Sequence, residues 1–207
     1  MFYIIYIIGR AYSFLSKRLS SFFWSNYHLS YCRVKKEVSL EDWKSLKISG
    51  KCSFGVSPGS RAIIGRNVVI NTGDATISPS PTKIFVTGGG ILQIGNHTGL
   101  SSTVIVCKDK IRIGNYVNIG AGCMILDTDM HSVDWRQRAY GQDSINANKA
   151  PVIIEDHVFI GAKSIVLKGV TIGEKSIISA GSVVIKNIPA NCLAGGNPCK
   201  VIKQLEL

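Results

Sequence analysis

The chain has 207 residues, 45% of them apolar and 21 of them glycine, enough for one cored domain with a modest appendage and too apolar for disorder. A formal net charge of +11 suits anionic membrane surfaces or phosphorylated small molecules. The basic residues are spread along the chain with no RNA- or DNA-binding motif beside them, which argues against nucleic acid.

Residues 1–36 differ from all that follows, with one glycine, dense aromatics, six Lys/Arg and no acid. Apolar residues at Ile5, Ile8, Tyr12, Leu15, Leu19 and Phe22 recur every three or four positions and predict an amphipathic helix. The opening apolar run is far shorter than the ~20 residues that span a bilayer. Two placements are open: against the main domain as a cap, or in the headgroup region of an anionic membrane. Residues 37–50 read as a connector with a short helix starting at Ser39, where Ser39 and Asp42 have capping-box spacing.

From about Ile48 onward the chain repeats. In 151–189, Ile154, Ile160, Val166, Ile172, Ile178 and Val184 recur with a strict period of six. A helix repeats near 3.6 and a single strand at 2, so neither explains six. Short strands joined by tight turns do, with one inward aliphatic anchor per strand and three strands per coil. Such hexapeptide repeats stack into a parallel β-helix. Upstream, Ile94, Leu100 and Val106 predict one triplet of anchors and Ile113, Ile119 and Ile125 the next, with an extra residue at the Lys108–Lys110 corner. The domain boundary is expected between 1–47 and 48–207.

The next anchor is due near position 131 but arrives only at Ile154, so residues 131–153 are expected to leave the coil as a loop. The loop is polar and carries His131, Asp134, Trp135, Arg136, Arg138, Tyr140 and Asp143. The six cysteines (Cys32, Cys52, Cys107, Cys123, Cys192 and Cys199) form no CxxC pair. Free thiols and no recognisable leader lead to the expectation of a cytoplasmic protein.

The run GNYVNIGAGCMILDTDMHSVD, the displaced loop, and IGAKSIVLKGVTIGEKSIISAGSVVIKNIPANCLAGGNPCKVIK together resemble the hexapeptide-repeat acyltransferases over residues 60–203. The galactoside, maltose and surface-polysaccharide O-acetyltransferases are the most similar branch. The resemblance implies an all-β, left-handed parallel β-helix, a homotrimer with active sites between subunits, acetyl-CoA as donor and no metal. It also implies a sugar acceptor, which a membrane-bound N-terminus would suit if lipid-linked. N-acetylation of an amino-sugar nucleotide is the alternative enzyme reading, and a non-enzymatic β-helix scaffold the other.

By the same resemblance His131 is the catalytic base. A sugar hydroxyl is a poor nucleophile until its proton is removed, and imidazole, with an unperturbed pKa of about 6.5, can accept it. Asp129 and Asp134, with Asp127 beside them, are the candidates to orient the ring, a backbone carbonyl being the alternative. Ser101 stands where the sugar acetyltransferases carry an oxyanion-binding asparagine, so a backbone amide is the alternative donor there. Trp135 and Arg136 are candidates for acceptor binding. Ala162, Ala180 and Gly181 match positions along the pantetheine arm of CoA, Ile185 replaces a frequent threonine, and Lys186, Lys200 and Lys203 match basic positions near the adenine and phosphates. His97 and His157 are expected to point outward, away from any shared metal site.

Overall fold

The computed structural model describes residues 37–206 apart from 43, 51 and 73–79. The N-terminal segment, with its expected amphipathic helix, His28 and Cys32, lies outside the described residues.

The described chain winds through six coils of three strands. They are β1 (Val38–Leu40), β2 (Lys47–Ser49) and β3 (Cys52–Val56); β4 (Arg61–Ile64), β5 (Val69–Asn71) and β6 (Thr82–Val86); β7 (Ile91–Ile94), β8 (Gly99–Ser101) and β9 (Val104–Cys107). Then follow β10 (Lys110–Ile113), β11 (Asn118–Ile119) and β12 (Met124–Leu126); β13 (Val152–Ile154), β14 (Phe159–Ile160) and β15 (Ile165–Val166); β16 (Thr171–Ile172), β17 (Ile177–Ile178) and β18 (Val183–Val184). Every third strand pairs in parallel, giving three sheets that are the faces of a triangular prism. A last hairpin, β19 (Cys192–Gly195) and antiparallel β20 (Lys200–Gln204), extends the second sheet. This is the parallel β-helix expected from the repeat, with the left hand that the resemblance implies.

The period of six is the physical cause. Ile154, Ile160, Val166, Ile172, Ile178 and Val184 are all fully buried on the prism axis. Each such side chain contributes roughly 1.5–3 kcal/mol through burial. The polar small residues between anchors are buried too, and each is satisfied. Ser164 Oγ donates to Gly161 O at 2.8 Å, Ser176 Oγ to Pro189 O at 2.6 Å, and Ser182 Oγ to Ser179 O at 2.6 Å. Serine is small enough for the prism corner and carries the donor the turn carbonyl needs.

The corner between the first and second sheets is built from a column of left-handed residues: Asn67, His97, Tyr116, His157, Lys175 and Asn191, all near φ 54–60°. That backbone is costly for non-glycine residues. It is offset because each turn bonds its neighbouring coil, as where Tyr116 N–H donates to Asn96 O at 2.8 Å and His157 N–H to Asn115 O at 2.9 Å. Side chains climb the same corner: Arg66 N–H donates to Asn96 Oδ1, Asn96 N–H to Asn115 Oδ1, and Asn115 N–H and Nδ2 to Asp156. The rings of His97, Tyr116 and His157 stack outside it, with centroids 4.8 and 5.0 Å apart, so both histidines point outward.

Three expectations are corrected. Ser39 lies in strand β1, paired with Ile63 of β4, not in a helix; Val38 and Leu40 alternate with it as a half-buried strand requires, and Asp42 instead caps a turn through Lys44 N–H. The coil therefore contains residues N-terminal to position 48. In the third coil Ile105, not Val106, is the inward anchor, paired across the ladder with Ile125. The turn at Ser102 and Thr103 is one residue shorter than expected, and the surplus falls after Cys107. The excursion spans 127–151 rather than 131–153, because Val152 and Ile153 already belong to β13.

Candidate active site

The excursion leaves the prism at the corner between the third and first sheets, after β12, and its stem is pinned on both sides. Asp127 is fully buried, and its carboxylate accepts the backbone N–H of Lys108 and of Asp109, each at 2.8 Å. Thr128 bridges Lys149 in antiparallel fashion, and Asp129 N–H donates to Asn148 O at 2.9 Å. Asp129 also takes the ammonium of Lys168, from the next coil, at 2.6 Å. The loop thus starts from a rigid scaffold.

Beyond the stem, Met130 turns the backbone with φ 64° and presents His131. Asp134 caps the short helix α1 (Trp135–Ala139) by accepting Arg136 N–H at 2.9 Å. Arg138 Nη1 donates to the carbonyls of Ser132 at 2.6 Å and Val133 at 3.0 Å, and Ser132 Oγ donates to Gln137 Oε1 at 2.5 Å. These bonds fold α1 back onto the residues after His131.

The far limb then returns Asp143 to the histidine. Asp143 Oδ1 accepts Ser132 N–H at 2.6 Å, and Oδ2 faces His131 Nδ1 in hydrogen-bond contact. The bond from His131 holds the Asp143 carboxyl below its ordinary range, helped by Ser132 N–H and the positive charge of Arg138. A carboxylate only accepts, so the contact assigns the proton to Nδ1 and leaves the lone pair on Nε2. The His131 side chain is 71% exposed, so this nitrogen can meet a substrate. The arrangement is an oriented base open to solvent.

The sequence-predicted residues divide accordingly. Asp129 and Asp134, expected beside the imidazole, serve the stem and the cap of α1; Asp143 holds the ring instead. Asp143 is twelve residues from His131 across an aperiodic loop, so no spacing rule could single it out. Trp135 is 59% exposed, with the Arg136 guanidinium 4.9 Å from its ring centroid. Ser101 lies on the second face, opposite the corner that bears His131, so the structure does not bring the two together within one chain.

Ala162, Ala180 and Gly181 align at the corner between the second and third sheets, where Gly181 N–H donates to Ala162 O at 2.8 Å. Ile185 follows β18 and is exposed, as are Lys186 and the β20 residues Lys200 and Lys203. The described cysteines are free and buried; burial pushes the Cys107, Cys123 and Cys199 thiols up, so they rest protonated and inert. Among the described residues no group of three His, Cys, Asp or Glu is placed to hold a metal ion. No helix among them is long and apolar enough to cross a membrane.

Residues 151–186 match the family described as "Hexapeptide repeat of succinyl-transferase". A putative acetyltransferase of Saccharomyces cerevisiae is 31% identical over 184 residues, 87% of each chain. One of Schizosaccharomyces pombe is 45% identical over 96 residues, but the match spans only 46% of this chain and 44% of that protein. A 2,3,4,5-tetrahydropyridine-2,6-dicarboxylate N-acetyltransferase of Clostridium perfringens is 48% identical over 59 residues, 28% of this chain and 25% of that one.

Among solved structures, a hexapeptide-repeat acetyltransferase of Vibrio cholerae complexed with acetyl coenzyme A superposes with a TM-score of 0.51 at 28% identity, covering 74% of this chain and 73% of that one. A polySia-specific acetyltransferase superposes with a TM-score of 0.54 at 27% identity, covering 77% and 71%. With a relative matched along nearly the whole chain, and with the coil and its single excursion in place, the protein belongs to the hexapeptide-repeat acyltransferase family.

Proposed function

We propose that the protein is an acetyl-CoA-dependent O-acetyltransferase acting on a sugar hydroxyl during surface-polysaccharide assembly, such as that of O-antigen or capsule. The observation that carries the reading is the Asp143–His131 contact, which leaves Nε2 as an exposed, oriented base. The likeness to a polySia-specific acetyltransferase supports the acceptor class, and the likeness to a structure holding acetyl coenzyme A supports the donor.

The thioester supplies an already activated acetyl group. His131 Nε2 takes the hydroxyl proton as the sugar oxygen forms its bond to the acetyl carbon. It returns that proton to sulfur as the carbon–sulfur bond breaks, giving an acetyl ester and free CoA. The small residues Ala162, Ala180 and Gly181 admit the pantetheine arm beside the backbone, with Ile185 contributing only apolar contact. Lys186, Lys200 and Lys203 serve as point charges for the phosphates. Trp135 and Arg136 border the acceptor, and Ser101 or a backbone amide faces the oxyanion.

The resemblance implies a homotrimer with sites between neighbouring copies, and the placement of Ser101 and His131 on opposite sides of one prism supports that reading. The protein is cytoplasmic, and residues 1–36, with six basic residues and no acid, give it peripheral contact with an anionic inner membrane surface that carries a lipid-linked acceptor.

The test is CoA release from acetyl-CoA with a panel of oligosaccharides and amino-sugar nucleotides, comparing wild type with His131→Ala. The reading expects acceptor-dependent release that falls by about 10²–10⁴ in the variant, and an alkali-labile product. An alkali-stable amide moves the protein to N-acetylation of an amino-sugar nucleotide, a reading the short N-acetyltransferase match favours. Release that survives in the variant removes His131 from its role, and absence of both release and CoA binding leaves a scaffold. Binding to anionic vesicles that is lost on deletion of residues 1–36 tests the membrane contact.

A further inference from the structure

The corner between the first and second sheets carries the stack of His97, Tyr116 and His157, which the site described above does not use. Neighbouring rings are 4.8 and 5.0 Å apart and inclined to each other by only 1° and 2°. Parallel rings that close overlap face to face, because edge to edge they would collide. Each ring therefore lies more across the prism axis than along it, and projects outward from its own coil. The acceptor nitrogen of a neutral imidazole carries its lone pair in the ring plane, so the exposed histidines aim theirs out of the corner. Asn67 Nδ2 stands 3.5 Å from His97 Nε2, whereas no described residue bonds a ring nitrogen of His157.

In the proposed trimer, the excursion leaves one copy at its third–first corner and reaches the second face of the next. First face then opposes second face, and the first–second corners of all three copies point at the common axis. A triangular corner fills only half the sector that a threefold ring allots to each copy, so neighbours touch at these corners and diverge outward. We infer that three copies of His157 meet on this axis and hold one divalent transition-metal ion of the zinc class, as a structural clasp of the trimer. The inference rests on the trimer of the proposed function and gives the metal no part in acetyl transfer. Among the described residues of one chain no three ligands meet, so the site exists only in the assembly. Threefold symmetry turns one unbonded imidazole into three with inward lone pairs, the donor set of a three-histidine zinc site. Tyr116 covers the ring from one neighbouring coil, and on the other the Lys175 ammonium is drawn aside to Glu174 at 3.2 Å. The Asp156 carboxylate is close enough to interact with the imidazole, and a negative charge there strengthens a ligand histidine.

His157→Asn is the decisive variant, because Asn67 and Asn191 already hold the same left-handed position on other coils, at φ 54° and 56°. His157→Tyr, which copies Tyr116 and keeps the stack, is the second variant in case the first disturbs assembly. His97→Asn is the control at the same corner. Tag-free protein is stripped with a chelator, dialysed and titrated with cobalt(II) and zinc(II), without acetyl-CoA or acceptor. Sedimentation reports the trimer, and melting followed by circular dichroism reports the fold.

The expectation is one ion per three chains, bound with a Kd below about 10 μM and with the visible cobalt bands of nitrogen ligation. Because the ion binds only the assembled form, it should also raise the melting temperature and the trimer fraction. Both His157 variants should lose the bands and the binding while staying folded, and His97→Asn should keep them. A trimer that binds the ion but transfers no acetyl group leaves this inference standing and removes only the transferase reading. An active trimer with no affinity below about 10 μM overturns this inference alone. One ion per chain, unchanged binding in two folded His157 variants, or a wild type that does not form trimers overturns it as well.

Discussion

The carboxylate of Asp143 divides its two oxygens between the backbone N–H of Ser132, at 2.6 Å, and Nδ1 of the neighbouring His131. One rigid group therefore sets both the position of the histidine's chain and the tautomer of its ring. Asp143→Asn keeps the size of the side chain but removes the charge and can present a donor to Nδ1. The expected outcome is a fall in kcat of about 10²–10⁴ with acceptor KM changed by less than about threefold. Steady-state kinetics check it, and the kcat/KM profile against pH separates this from simple loop damage, since a wrong tautomer changes the profile and a loosened loop does not. A variant with wild-type kcat would show that the ring needs no such partner.

Asp156 makes a second acid-sensitive contact, far from the chemistry. Its carboxyl is held below the ordinary range, first by the Asn115 side chain and next by the Asn115 backbone N–H. A folded-state pKa below the unfolded value of about 3.9 means stability that is complete well above that value. It is lost as pH falls through the folded-state pKa. The expectation is a wild-type melting temperature that drops on acidification below about pH 4. Asp156→Asn should start lower at pH 7 and depend less steeply on pH, and melts followed by circular dichroism from pH 7 to pH 3 measure the difference.

The coil was legible because its cause is periodic. Every anchor from Ile154 to Val184 had to be buried once the turn length repeated, and one missing anchor was enough to locate the excursion that carries His131. What stayed hidden was aperiodic. Asp143 finds His131 through loop contacts made by Ser132, Gln137 and Arg138, none of which follows a spacing rule. Asp127 read as a possible orienting acid but is consumed by the N–H groups of Lys108 and Asp109, a demand created by the corner after Cys107. Ser39 carried a helix-capping signal that lost to strand pairing with β4, where tertiary contacts outweighed local propensity.

Lys168 offers a test of how far the scaffold controls the loop. It reaches from one coil to Asp129, two residues before the catalytic candidate, at 2.6 Å. Both side chains are about one-third exposed, so the pair contributes little to global stability, on the order of 0–1 kcal/mol. Its work is local, since it fixes the stem against the next corner. Lys168→Met should leave the melting temperature within a few degrees, lower kcat by about three- to tenfold, and speed proteolytic cleavage within 130–148. A drop in melting temperature as large as that of a core variant would mean the pair holds the coil rather than the loop.

The glycines separate two kinds of constraint that the sequence writes with one letter. At Gly95 the next coil passes so close that an added Cβ would stand 2.5 Å from the carbonyl carbon and oxygen of Gly114. Neither atom can move without breaking the ladder, in which Gly95 N–H donates to Ile113 O at 2.8 Å. Gly59 has φ +79° but nothing within 4 Å of its Cβ position, so its demand is purely conformational. Gly59→Ala should cost about 1–2 kcal/mol through left-handed backbone strain alone. Gly95→Ala should cost more, about 3 kcal/mol, because overpacking at a point of backbone contact has no side chain to absorb it. Gly59→Asn discriminates the causes, since asparagine tolerates the left-handed region and should recover much of the loss, whereas no residue larger than glycine should rescue position 95. Urea denaturation of the four proteins measures the order, and equal losses at the two positions would mean that the coils are spaced more loosely than their backbone contacts indicate.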